Sequence, residues 1–282
     1  MIEQYAVNIK TDVENALRED LGGHIAIEND ITAMLIPAEQ HAHAHIITRE
    51  DIVLCGVDWA KQAFSLIDKD VKQTWVYKDG DHIPANTTIV ELSGSARSIL
   101  CSERTALNFL QMLSGTATVT HFYTEFLNGS HTQLLDTRKT IPGFRQAQKY
   151  AVACAGATNH RIGLFDAYLI KENHIKACGT IAKAVAQAKS LHPQKKVEVE
   201  VESLKELGEA IAAGVDICML DNFTTKLVEQ AVALNNGQCK LEVSGNITEE
   251  RLTELAKTGV DYVSTGAITK HVKAVDLSLL IK

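Results

Sequence analysis

From about residue 130 the chain repeats one unit, a short apolar run ending in a polar residue and then a helical stretch. The runs are QLLD at 133–136, AYLIK at 167–171, VEVEV at 197–201, ICMLD at 217–221, LEVSG at 241–245 and YVSTG at 262–266. Between them lie TIAKAVAQAKSL, SLKELGEAIAAG, TKLVEQAVALNN and ITEERLTELAKTG. Strands joined through helices run parallel, because the crossover returns the chain to the same end of the sheet. Six or seven such units suit closure into an α/β barrel better than an open sheet. The polar residues then stand at the carboxyl ends of their strands, where barrel enzymes assemble their sites.

The first third has another texture. HAHAHIITRE, DIVLCGV, TWVYKDGDHI and TTIVELSG read as short strands, with Asp79-Gly80-Asp81 as the turn of a mostly antiparallel sheet. SILCSERTALNFLQMLSG then reads as a helix whose Ile99, Ala106, Leu107, Leu110 and Leu113 share one broad face. Glu103 falls inside that arc and Arg104 on its shoulder, and Gly115 marks the expected helix end. No low-complexity linker separates the two textures. The expected division is a first domain over 1–113 and a barrel over 114–269, with the tail 270–282 packed back on the first domain. NDIT at 29–32 reads as an ordered loop. The alternating His41, His43 and His45 share one strand face; with no nearby fourth ligand, a solvent-facing or subunit-contact strand fits them better than a metal site.

The 282 residues carry a net charge of −7, yet residues 136–176 gather Arg138, Lys139, Arg145, Lys149, Arg161, Lys171 and Lys176 against only Asp136, Asp166 and Glu172. An acidic chain that concentrates its cations in this way suits a small, multiply charged anion. Nucleic acid is excluded as a partner, since a phosphate backbone calls for a broad basic surface. The opening MIEQYAVNIKTDVENALRED has no apolar leader and no run approaches a membrane span, so a cytoplasmic protein is expected. Six scattered cysteines without a CxxC pair suit reduced, buried thiols rather than a zinc site or a disulfide frame.

The strand ends supply the chemistry. Arg138 and Lys139 follow one strand, and His160-Arg161 and Lys171 would reach the same rim from neighbouring loops. Arginine grips a carboxylate or phosphate through two parallel hydrogen bonds. Glu200 and Asp221 face these cations, placed to bind a magnesium–phosphate ligand, hydrogen-bond ribose hydroxyls or stabilise a developing cation. Ser244-Gly245-Asn246 and Ser264-Thr265-Gly266 close the last two strands. They are either simple turns or, with exposed backbone N–H groups and a following helix N-terminus, a phosphate site.

EDLGG…NDIT at 19–32, SERTALNFLQMLSGTAT at 102–118, DTRKTIPGFR at 136–145, NHRIGLFDAYLIKENH at 159–174, VEVEVESL at 197–204, MLDNF at 219–223 and EVSGNI at 242–247 together resemble the quinolinate phosphoribosyltransferase family. The resemblance spans nearly the whole chain. It implies an N-terminal α/β open sandwich, a C-terminal incomplete α/β barrel of about seven strands, and a homodimer whose sites are shared, with Arg104 given in trans. The implied reaction joins quinolinate to phosphoribosyl pyrophosphate (PRPP), yielding nicotinate mononucleotide, pyrophosphate and carbon dioxide. Under it Arg104, Arg138 and Arg161, helped by His160 and Lys171, meet the two pyridine carboxylates. Lys139 and Lys171 steady the pyrophosphate with Mg²⁺, and Glu200 and Asp221 hold the ribose, its magnesium, or both. Ser244, Gly245, Asn246, Thr265 and Gly266 take the 5′-phosphate, and Thr137 joins the binding set. Lys139, Lys171, Glu200 and Asp221 are the expected catalytic residues. The competing readings are a related phosphoribosyltransferase with another acceptor and a non-catalytic sensor of a nucleotide or diacid.

Overall fold

The computed structural model of the chain describes residues 8–282, so part of the opening stretch read for a leader lies outside the described residues. Among those residues no helix is long and apolar enough to cross a membrane. In chain order the first elements are α1 (Ile9–Asp20), β1 (His41–Thr48), β2 (Ile52–Val53), α2 (Val57–Ile67), β3 (Lys72–Trp75), β4 (His82–Ile83), β5 (Thr88–Ser95) and α3 (Ala96–Glu125). There follow β6 (Gln133–Leu135), α4 (Arg145–Cys154), β7 (Tyr168–Ile170), α5 (Glu172–Cys178), α6 (Ile181–Leu191), β8 (Val197–Val201) and α7 (Leu204–Ala212). The last are β9 (Ile217–Asp221), α8 (Thr225–Asn235), β10 (Lys240–Ser244), α9 (Glu249–Leu255), β11 (Tyr262–Ser264), α10 (Ala267–Lys270) and β12 (Leu277–Ile281). The fold is α/β with two compact units, one of residues 8–120, 146–155 and 272–282, the other of 121–145 and 156–271.

The first unit carries a four-stranded antiparallel sheet in the order β12-β1-β5-β3 and a separate β2-β4 pair. Alternation in β1 turns Ala42, Ala44 and Ile46 inward and leaves His41 and His43 exposed. Trp59 and Phe64 of α2 are fully buried, and the Trp59 indole donates to Asp12 of α1 at 3.1 Å. Asp30 Oδ1 accepts the N–H groups of Thr32 and Ala33, so the NDIT loop is ordered by its own side chain. Two expectations fail here. The Asp79–Asp81 turn does not lie within one sheet but connects two, because β3 pairs with β5 while β4 pairs with β2. Gly115 does not end its helix, since α3 continues to Glu125. A Cβ at Gly115 would lie 2.2 Å from the carbonyl oxygen of Lys273, so the glycine serves close approach rather than termination.

The second unit carries a parallel six-stranded sheet in the order β6-β11-β10-β9-β8-β7. Beyond β6, Thr158 makes a single parallel bridge to Leu135. The expected seven strands are thus six ladder strands and one bridge, an incomplete barrel. Four of its helices begin on side-chain caps: Thr180, Ser203, Thr224 and Thr248 accept the N–H groups of Lys183, Glu206, Leu227 and Arg251. Register aligns the strand ends, with Ser244 opposite both Asp221 and Ser264, and Ser264 opposite Leu135.

Candidate active site

That alignment opens a cavity of about 440 Å³ at the carboxyl ends of the strands, lined by Arg138, Lys139, Arg161 and Lys171 on one side and Glu200 and Asp221 on the other. Arg138 and Lys139 ride the loop after β6, which is braced from behind. Arg145 donates to Thr140 Oγ1 at 3.1 Å, to the Ile162 carbonyl at 3.1 Å and to the Arg138 carbonyl at 3.4 Å. Thr269 Oγ1 donates to the Lys139 carbonyl at 2.7 Å. Arg138 Nε is buried and has no hydrogen-bond partner among the described residues. A buried charged donor left in that state calls for a partner that a ligand would supply. Arg161 donates to the Ala167 carbonyl at 3.2 Å, and burial, then the nearby Arg138, lowers its pKa. Lys171 Nζ meets Glu200 Oε2 at 2.5 Å, so the cationic and anionic walls are already joined at one point.

Below this cavity lies a layer of charge within the strands. Glu198 and Glu200 are two residues apart on β8 and share its inward face, as do Glu242 and Ser244 on β10. Glu198 is 3% exposed and Glu242 fully buried. The Arg161 backbone N–H donates to His160 Nδ1 at 2.8 Å, which puts the ring proton on Nε2, 3.0 Å from Glu198 Oε2 and 3.4 Å from Glu242 Oε2. Asp136, fully buried, accepts the His160 backbone N–H at 2.8 Å and Asn159 Nδ2 at 2.7 Å. Burial, then Glu198, raises the Glu242 pKa to about 8, so this acid holds its proton near neutrality. His160 therefore lies at the cavity with Nδ1 bonded to the backbone and Nε2 close to two buried carboxylates.

A second cavity, about 430 Å³, adjoins the first through Thr137, Lys139, Asp221, Ser244 and Ser264, and is framed by Gly245, Asn246, Thr265 and Gly266. Its wall is small by necessity: a Cβ at Gly266 would stand 2.8 Å from Lys139 Cδ and 3.2 Å from Thr137 Oγ1. Polar backbone and Lys139 suit a compact anion. The helix after β11 is only the four-residue α10, so an anion there would meet the backbone of the loops rather than a long helix. A third cavity, about 510 Å³, lies toward the other end of the strands near Gln194, Lys195, Ile217 and Tyr262. It meets the first only at His160, Arg161 and Glu242, and Arg138, Lys139 and Lys171 do not line it.

Thirteen of the sequence-derived site residues thus line two adjoining cavities: Thr137, Arg138, Lys139, His160, Arg161, Lys171, Glu200, Asp221, Ser244, Gly245, Asn246, Thr265 and Gly266. Arg104 belongs to the first unit and is exposed on α3. Three cations of segment 136–176 are absent from either cavity lining: Arg145 is the loop brace, Lys149 is fully buried in the first unit, and Lys176 pairs with Glu172. Sequence reasoning missed Asp136 as an anchor and Glu198 and Glu242 as the floor. Period-two alternation from Glu200 and Ser244 was the available signal.

A family model described as quinolinate phosphoribosyl transferase, N-terminal domain, matches residues 30–114, and its C-terminal counterpart matches 116–280. The chain is 39% identical over 274 residues to a probable nicotinate-nucleotide pyrophosphorylase (carboxylating) of Bacillus subtilis (strain 168), covering 97% of this chain and 93% of that protein. The solved nicotinate-nucleotide pyrophosphorylase from Francisella tularensis is 54% identical, with a TM-score of 0.93 over 97% of this chain and 96% of that one. NadC from Streptococcus pyogenes is 40% identical, with a TM-score of 0.92 over 97% and 96%.

Proposed function

The chain belongs to the quinolinate phosphoribosyltransferase family, and on that footing we propose that it transfers phosphoribosyl from PRPP to quinolinate with decarboxylation. The products are nicotinate mononucleotide, pyrophosphate and carbon dioxide, a step of NAD biosynthesis. The observation that carries the reading is the convergence of Arg138, Lys139, Arg161 and Lys171 on one cavity beside a small-walled, polar one. A pyridine diacid needs two cationic grips, and a phosphoribosyl donor needs an anion pocket next to them.

Arg138, with its free buried Nε, and Arg161 hold the two carboxylates and fix the ring plane. His160 acts behind them: its Nδ1 accepts the Arg161 N–H and its Nε2 faces the buried glutamates, which sets the Arg161 backbone. The loops at Ser244–Asn246 and Thr265-Gly266 take the 5′-phosphate, placing the anomeric carbon toward the ring nitrogen. The bond from that nitrogen to the anomeric carbon forms as the bond to pyrophosphate breaks. Glu200 and Asp221 stabilise the positive charge that builds on the ribose, while Lys139 and Lys171 receive the departing pyrophosphate. Alkylation makes the ring nitrogen cationic, so loss of the adjacent carboxylate as carbon dioxide leaves an ylide carbon that a solvent proton quenches. Orientation and electrostatics suffice for the residues' share.

Glu200 and Asp221 offer only oxygen donors at one mouth, a set that fits Mg²⁺. When bound with PRPP, Mg²⁺ supplies charge neutralisation for the pyrophosphate. We further infer a cytoplasmic homodimer in which Arg104 completes the partner's site. The test is carbon dioxide release from carboxyl-labelled quinolinate with PRPP and Mg²⁺ each omitted in turn. Release that requires both is expected. No release from folded protein would overturn the proposal and direct the search to another acceptor or to a sensing role.

A further inference from the structure

The first unit holds a cluster that the proposed reaction does not use. Cys55, Asp79 and Cys154, distant in sequence, each bring a donor atom to one place, and the two sulfurs and the carboxylate oxygen lie within 4.8 Å of one another. Each is held from behind. The Cys55 N–H donates to Ser114 Oγ at 2.9 Å, and the Cys55 carbonyl accepts the Ser114 hydroxyl at 3.1 Å. Asp79 Oδ1 accepts the Val57 N–H at 3.0 Å in the first turn of α2, and Oδ2 accepts the Tyr150 hydroxyl at 2.8 Å. Cys154 is the last residue of α4. Outer partners of this kind orient ligands around a metal, and with the Gly56 N–H as a third donor they still leave the carboxylate a spare lone pair.

We propose that Cys55, Asp79 and Cys154 bind a thiophilic divalent cation of the Zn²⁺ class, with two sulfurs and one oxygen as ligands and a fourth position for water. The donor set excludes a hard ion such as Mg²⁺, which takes oxygen ligands. Ligands at roughly 2.0–2.3 Å from a tetrahedral ion stand about 3.3–3.8 Å apart, so the donors close by at most about 1.5 Å. Cys55 is buried while Asp79 and Cys154 are half-buried, which leaves the entry path on their side. Burial foremost raises the Cys55 thiol well above its ordinary range and also raises Asp79, while the Cys55 S–H lowers Cys154. The cation would displace the Cys55 proton and favour the thiolates as ligands. The His160, Glu198 and Glu242 group is as compact, but His160 Nε2 carries the ring proton and cannot also ligate.

The test uses the full chain, stripped of metal under reducing conditions and titrated with Zn²⁺ against a chromophoric chelator, then with Co²⁺ by absorption. One tightly bound Zn²⁺ per chain is expected, with sulfur-to-cobalt charge transfer and the strong visible bands of a tetrahedral ion. Cys154→Ser and Asp79→Asn should weaken Zn²⁺ binding by more than about tenfold, and Tyr150→Phe, which removes only the group behind Asp79, by about tenfold. Cys218→Ser should change nothing. Absence of a stoichiometric ion in the unaltered protein, an octahedral Co²⁺ spectrum without sulfur bands, or equal affinity in Cys154→Ser would each overturn the proposal. So would recovery of a Cys55–Cys154 disulfide as the state that forms in place of metal binding.

Discussion

Arg138 keeps a buried, unpartnered Nε at the wall of the cavity, and an unsatisfied buried donor costs about 1–3 kcal/mol, more when charged. Such a cost is sustained where a ligand removes it. Arg138→Ala should therefore lower kcat/KM by about 10²–10³ while leaving the far-ultraviolet circular dichroism unchanged. Lys171→Ala should do the same, since its Nζ lies 2.5 Å from Glu200 and orders both walls. Near-normal carbon dioxide release by either variant would remove that residue from the site. Glu242 makes a separate prediction. Burial, then Glu198, lifts its pKa from 4.5 to about 8, so between those values the folded chain retains a proton that the unfolded chain has released. Stability must then fall as pH rises from 4.5 toward 8 and level off above it. Glu242→Gln is neutral throughout, and its Tm should vary less across that window. An unchanged slope would assign the proton elsewhere.

Among the elements, Gly115 shows how a local rule is overridden by packing. The residue sits inside the 30-residue α3 with its missing Cβ facing the Lys273 carbonyl at 2.2 Å. Gly115→Ala should cost about 1–3 kcal/mol through displacement of the segment before β12, read as a lower Tm. A gain in stability, as helix propensity alone would give, would refute the contact. The six strands of the parallel sheet were legible within a residue or so, because an apolar run ending in a polar residue leaves little freedom of register. Four of the helices between them, α6 to α9, were legible as well, whereas α4, α5 and α10 were not read. The two-residue β2 and β4 were not, since so short a strand carries no period. Glu198 and Glu242 escaped for a different reason. Their alternation with Glu200 and Ser244 was visible, but acids are expected in water, and only the tertiary structure shows carboxylates held beside a histidine. Cysteines remote in sequence likewise meet only once the first unit folds.

At the scale of the whole molecule, a chain of net charge −7 gathers Arg138, Lys139, Arg161 and Lys171 on one cavity, a distribution that would favour small anions there over the surface at large. The barrel unit supplies Arg138, Lys139, Arg161 and Lys171, whereas Arg104 stands exposed on α3 of the other unit. Burial, opposed by Arg104, raises the pKa of the neighbouring Glu103, so this turn of α3 carries a half-buried acid beside an exposed cation. If Arg104 completes the partner's site, Arg104→Ala and Arg138→Ala damage opposite components of each shared site. Either homodimer alone should be nearly inactive. A mixed dimer contains one site with both defects and one with neither, so an equimolar mixture allowed to exchange subunits should recover activity. With random exchange, half the dimers are mixed and each holds one intact site, so recovery should approach about a quarter of the unaltered rate, far above either parent. Mixed dimers confirmed by native mass spectrometry but without regained carbon dioxide release would place Arg104 outside the shared site.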